Sequence, residues 1–429
     1  MTAAVAERVP TFASLGLRNY RLFWTGGLVS NIGTWMARVA QDWLVLTILT
    51  DNSSLALGIV TGLQFLPVAV LAPYAGALAD RLPKRRLLMI AQAAMAVTGL
   101  LLAGLVASGT VQLWQVYLLA LLQGVAAAFD GPARQAFAPE MVPELLIPNA
   151  VGLNTTSFHA ARLFGPAVAG LTIAWWGVAP ALLFNGLSFV AVMVALARMD
   201  PLGLTPAPRT RAKGSVRAGL RYVRSRPDIV LLMFVVFMLG TFGLNFQLTN
   251  ALMATEVFGV GAEQYGLLGS ILAVGSLSAG LLAARRTRLR LRLVIGAMAA
   301  FSLTAAALAV APGYWWYAAL LVPAGLSALT VMTAANASVQ LSTEPAMRGR
   351  VLALYQAIFL GGTPLGAPLI GLAGDAWGPR STLAIGALAC GLTVVAAVGW
   401  LVRRGGWGVL PWYHPAEQVL PDELVEEAR

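Results

Sequence analysis

Four residues in an otherwise apolar stretch carry side chains able to hold or move charge: Asn31, Trp35, Arg38 and Asp42. Steps of four, three and four put them on one face of a helix. His159 and Arg162, three apart in a second apolar stretch, share a face in the same way. In lipid such groups are costly and are functional candidates by default. One acid against two arginines leaves two readings open. Asp42 forms a structural ion pair with Arg38 or Arg162, or the cluster binds a proton or a charged solute. Asp42, Arg38, His159 and Arg162 are the proton-coupling candidates.

Other chemistry is missing from the chain. It has no G-x4-G-K-[ST] phosphate loop and no nucleophile elbow, and one Cys and two His give no metal-ligand spacing. A membrane enzyme is disfavoured, and no cofactor or metal is expected.

The elements that position these residues are long apolar helices. The chain has 429 residues, 58% of them hydrophobic and only 11% charged, with mean hydropathy +0.76. A soluble chain carries about 25% charged residues, so the solvent for this one is lipid. Runs long enough to span a bilayer, ~20 residues, recur near 21–49, 56–79, 87–108, 112–137, 148–176, 179–198, 228–254, 264–284, 291–311, 314–341, 350–377 and 380–402. The cations concentrate in the even-numbered loops: four in 81–86, seven in 209–226 and five in 285–292. This positive-inside pattern puts both termini in the cytoplasm. It also accounts for the net charge of +11 without a nucleic-acid partner. The lipid bilayer is the expected surrounding.

The chain divides into a cytoplasmic N-terminus (1–20), a six-helix bundle (21–198), a cytoplasmic linker (199–227), a second six-helix bundle (228–402) and a cytoplasmic tail (403–429). In the linker, Val216, Leu220 and Val223 share one helical face and Arg217, Arg221 and Arg224 another, the pattern of an amphipathic helix on a membrane surface. The halves echo each other. Residues 162–170 and 362–371 are both rich in Gly and Pro, and each stretch leads to a Trp-Gly turn, Trp176-Gly177 and Trp377-Gly378. Such interrupted repeats mark secondary transporters.

Gly76-Ala-Leu-Ala-Asp80-Arg81-Leu-Pro-Lys84-Arg85-Arg86 resembles the loop-2–3 signature of the major facilitator superfamily, with Pro83 where Gly is usual. Gly152, Ala161, Gly165, Pro166, Ala169 and Gly170 resemble the span-5 signature of its drug:proton antiporters, with Ala at two Gly positions. Residues 18–24, 129–143 and 184–189 look like the bacterial subfamily holding the enterobactin exporter and macrolide efflux proteins. One departure stands out: Gln123-Gly124 is present, but Ala120 replaces the antiporter arginine.

The resemblance implies an all-α membrane protein with twelve transmembrane helices in two pseudo-symmetric six-helix bundles. It implies a monomer in the bacterial inner membrane that exports a small molecule, with protons as the coupling ion. A facilitator or symporter without export bias is the alternative within transport, and a lipid scramblase the alternative outside it. In this superfamily the conformational switch would comprise Gly76, Asp80, Arg81, Lys84, Arg85 and Asp130, with Asp80 facing the start of span 11 and Lys84 pairing with Asp130. The second-half repeat at 280–290 keeps its arginines but has Ala284 for the acid. Spans 1, 4, 7 and 10 would line the cavity. That makes Asn31, Trp35, Gln123, Phe242, Asn245, Thr249, Asn336 and Gln340 wall candidates, with Tyr355, Gln356 and Phe359 of span 11 beside them.

Overall fold

The structure is a computed structural model that describes residues 10–205, 216–284 and 291–403. The side chains of Pro73, Ala77, Asp80, 216–218 and Ala346 fall outside the description. The expectations for residues 1–9, the middle of the linker, the repeat at 285–290 and the tail from 404 also lie outside it.

The described residues are helical almost throughout. The helices are α1 (Arg18–Trp43), α2 (Ser54–Arg81), α3 (Lys84–Ala107), α4 (Leu113–Phe137), α5 (Ile147–Trp176) and α6 (Val178–Ala197). Next come α7 (Val216–Arg224), which lies within the expected linker, and then α8 (Pro227–Met238), α9 (Phe246–Leu252), α10 (Ala262–Ala284), α11 (Leu291–Ala309), α12 (Tyr314–Ser342), α13 (Pro345–Trp377) and α14 (Pro379–Arg403). A helix, or helical segments in series, lies over every apolar run. Ten of these stretches are long and apolar enough to cross a membrane. The two that fall short of that measure are α1 and α5, which carry the arginines, Asp42 and His159 among other polar residues and glycines.

Local chemistry sets the ends. The Ser53 hydroxyl caps α2 by accepting from Ala56 N at 3.2 Å. Gln112 and Gln115 form a reciprocal box at the start of α4. The α5–α6 and α13–α14 corners turn on Gly177 (φ +82°) and Gly378 (φ +84°), a region that glycine alone enters cheaply. The same corner at equivalent places bears out the echo between Trp176-Gly177 and Trp377-Gly378.

Two helical stretches are irregular. α1 runs on into a π-helical segment at Leu44–Leu49. The stretch from α8 to α9 contains π segments at Leu239–Gly243 and Met253–Val257, with a break at Leu244–Asn245. π segments gather at functional sites because they re-aim side chains.

α1 packs on α5 and α6, α3 on α4 and α6, and α2 on α4. After the linker α12 packs on α10 and α11, and α11 on α14. Two close seams join the earlier helices to the later ones: α2 against α13, and α5 against α10. The short α7 packs on α13, with Val223 buried and Arg221 and Arg224 exposed.

Candidate functional site

Glycines bring the site together. A Cβ on Gly165 would lie 2.6 Å from Trp35 Cβ, so only glycine lets α5 close on α1 at this point. The indole of Trp35 then becomes shared ground. The Arg38 guanidinium stands 4.8 Å from its centroid and that of Arg162 5.6 Å. Arg38 also stands 5.4 Å from the Phe65 ring of α2, which the sequence did not single out. Phe158 meets Trp35 edge-on at 6.1 Å and His159 at 5.8 Å. One turn away, Asn31 Nδ2 donates to Ser157 Oγ at 3.4 Å. Among the described residues neither guanidinium has a carboxylate within 4.0 Å or a hydrogen-bond partner.

Asp42 turns elsewhere. It is 1% exposed and accepts two hydrogen bonds from the second half, from Tyr265 OH at 2.6 Å and Gln247 Nε2 at 3.0 Å. Trp43 stacks on the same tyrosine at 6.2 Å. The expected ion pair with Arg38 or Arg162 is therefore not formed. Those arginines project one to two turns away, while Asp42 sits where α1 meets α9 and α10. Sequence inspection missed Gln247 and Tyr265 because the pairing joins residues more than 200 positions apart.

The seams close at the Asp42 end. Gly58 lies against the carbonyl of Ala367, Gly62 against Pro364 and Pro368, and Gly371 against Ser54 and Leu55. Gly266 meets the carbonyl of Pro166, and Gly170 meets Ala262 and Glu263. Of the span-5 signature, Pro166 and Gly170 thus pack on α10, whereas Gly165 packs on α1. Asp375 of α13 closes the corner. Its carboxylate accepts from Ser54 N at 2.6 Å, Ser53 Oγ at 3.1 Å and Leu55 N at 3.2 Å, which satisfies the free amides at the start of α2. The sequence signal for this contact was an acid just before the Gly378 corner and a Ser-Ser pair before α2. At the opposite ends of the same four helices, a Cβ on Gly76, Gly152, Gly280 or Gly349 would meet nothing within 4 Å.

At that opposite end the basic loop is anchored differently from expectation. Lys84 pairs with Glu140 at 2.6 Å and not with Asp130. Asp130 accepts instead from Arg134, one turn along its own helix, at 3.1 Å and from Gln92 at 2.7 Å. Glu140 wins because the chain turns after α4 and brings it back under α3. Arg85 donates to the carbonyl of Ala197 at 3.1 Å, and Arg81 is exposed. The Glu344 side chain makes no capping hydrogen bond at the start of α13, and the Asp80 side chain, expected to dock there, lies outside the described residues.

The remaining wall candidates divide. Gln123 is half-buried, Gln340 and Gln356 are exposed, and Asn336 accepts from Gln340 at 2.6 Å. Asn245 and Thr249 are buried and line, with Phe242, Phe301 and Thr382, a small cavity among α9, α11 and α14. The break at Leu244–Asn245 rotates them into the second half's own interior. Tyr355 likewise donates to the carbonyl of Met332 at 3.2 Å and is spent on helix packing. Phe359 lies against Gly240.

A family described as transmembrane secretion effector matches residues 9–416. The staphyloferrin A transporter of Staphylococcus aureus is 24% identical over 61% of this chain and 66% of its own length. Macrolide efflux protein A of Streptococcus pyogenes is 24% identical over 82% of this chain and 88% of its own. Multidrug efflux pump Tap of Mycolicibacterium fortuitum is 26% identical over 83% and 89%. Among solved structures, the nucleoside transporter NupG superposes with a TM-score of 0.69 at 13% identity, covering 89% of this chain and 98% of that one. The D-xylose–proton symporter superposes with a TM-score of 0.68 at 15% identity, covering 89% and 96%.

Proposed function

Since the chain belongs to the transmembrane secretion effector family of the major facilitator superfamily, a family of membrane transporters and not of enzymes, we propose that it exports a small molecule across the bacterial plasma membrane in exchange for protons. α1 and α5, membrane-length but polar, complete a set of twelve spans with the ten apolar ones. Two six-helix halves rock around a central site. The basic loop at 81–86 supports a cytoplasmic Lys84 end; on that reading the sealed Asp375 end faces outward and the conformation is inward-facing.

The observation that carries this reading is Asp42, an acid of the first half held by donors of the second at the sealed end. A carboxylate accepts both bonds with its charge, at about 1.5–3 kcal/mol each. A proton on Asp42 removes that charge and weakens both bonds, so proton occupancy biases the outer closure. Relatives named for staphyloferrin A transport, macrolide efflux and multidrug efflux support a multidrug or siderophore efflux role.

The test uses everted membrane vesicles, a respiration-driven proton gradient and a panel of macrolides and siderophores. A transported compound will dissipate the gradient in the wild type and fail to do so in Asp42→Asn. Full proton-coupled transport by Asp42→Asn would remove Asp42 from the mechanism. Transport that never perturbs the gradient would refute antiport.

A further inference from the structure

We infer that Trp35, Arg38, Phe65, Phe158 and Arg162 form the cargo site and that it selects an organic anion carrying an aromatic or flat apolar group; this rests on the export reading above. Three observations carry the inference. Both guanidinium carbons lie within 6 Å of one indole, 4.8 Å for Arg38 and 5.6 Å for Arg162, and the two cations feel each other's charge, so both bear on the solute that enters beside Trp35. Neither has a hydrogen-bond or carboxylate partner among the described residues, and none of their nitrogens is among the sealed unpartnered polar atoms. Their donors therefore stay open to a solute.

The third observation concerns the acid that would have neutralised them. Asp42 lies on the same face of α1, yet its two oxygens are occupied by Tyr265 and Gln247. Asp42 still acts on Arg38 through space but not on Arg162, so the stripe keeps a net positive charge in a place of low dielectric, where a mobile anion is the natural counter-charge. The aromatic residues supply the rest of the recognition. Trp35 and Phe65 flank Arg38, and Phe158, 45% exposed, meets Trp35 edge-on at 6.1 Å. A carboxylate, catecholate or sulfonate would sit on the guanidinium pair, and its ring would lie against these faces.

The test measures binding, not transport, on the purified full chain in lipid nanodiscs. Isothermal titration compares three probes of one shape: 2-naphthoate, methyl 2-naphthoate and 2-naphthylmethylammonium. The anion is expected to bind at least about tenfold tighter than the ester, and the cation weakest. Arg38→Gln and Arg162→Gln should each weaken naphthoate about tenfold and leave the ester unchanged, while Arg162→Lys keeps part of the preference. Equal affinity for the three probes, no detectable binding of the anion, or anion binding indifferent to both arginine variants would overturn the inference. The wild-type charge series needs no variant to fold. Failure here leaves export standing, because the vesicle experiment does not depend on the cargo's charge.

Discussion

Removing the Asp375 carboxylate should unlatch the closed end. Asp375 accepts from Ser54 N at 2.6 Å, Ser53 Oγ at 3.1 Å and Leu55 N at 3.2 Å. Bonds to a charged acceptor contribute about 1.5–3 kcal/mol each when buried. Asp375 is exposed and water competes for it, which discounts the three together to roughly 2 kcal/mol. The favourable field of the α2 N-terminus lies within that figure. A change of that size shifts a two-state equilibrium by roughly thirtyfold toward the open outer end. Asp375→Asn, which keeps one acceptor oxygen, should shift it less than Asp375→Ala. Spin labels at Ala107 and Val310, both exposed near that end, would report the shift by double electron–electron resonance in a Cys390→Ala background. The Ala variant should gain a longer-distance population absent from the wild type. An unchanged distance distribution in a well-folded Asp375→Ala protein would show that the glycine seams alone hold the end closed.

Gly165→Leu should lower the thermal midpoint sharply and abolish export, because even its Cβ would stand 2.6 Å from Trp35 Cβ; normal export from a stable variant would refute the packing account. A double-mutant cycle on Lys84 and Glu140, a pair with side chains 13% and 8% exposed, should return a coupling of about 1–3 kcal/mol. The same cycle on Lys84 and Asp130 should return close to zero by chemical denaturation in micelles. Gly177→Ala and Gly378→Ala should each cost about 1–3 kcal/mol by the same measurement, since both corners need positive φ. A thermal midpoint unchanged in both would mean the corners relax.

Hydrophobic runs and glycine corners made most of the helices legible in advance, because a lipid-facing helix must be apolar along its whole length whatever it packs on. Spacing along α1 likewise gave the shared face of Trp35 and Arg38. Partner choice was not legible. Asp42 was expected against the arginines of the apolar stretches, Arg38 or Arg162, yet Tyr265 and Gln247 hold it, since burial rewards whichever donors the tertiary fold brings within 3 Å. Lys84 was expected against Asp130 because the loop-2–3 resemblance implied it, whereas the turn after α4 delivers Glu140. Asn245 and Thr249 were misplaced because the stripe assumed an unbroken helix. The π segment at Leu239–Gly243 shifts every later residue around the axis.

The seams at Gly58, Gly62, Gly170 and Gly266 press glycine against opposing backbone and proline. Such a joint contains almost nothing that recognises cargo. The aromatic and arginine surface around Trp35, in turn, contributes little to the joint. The two jobs are thus written in separate alphabets, one of missing side chains and one of large ones. On the proposed reading, selection can rewrite the proposed cargo surface residue by residue without disturbing the seams where the helices meet. The joint has the opposite character, because there a single added methyl already collides. Over evolutionary time a family built this way should vary freely in what it carries while keeping the mechanics of its outer door nearly fixed.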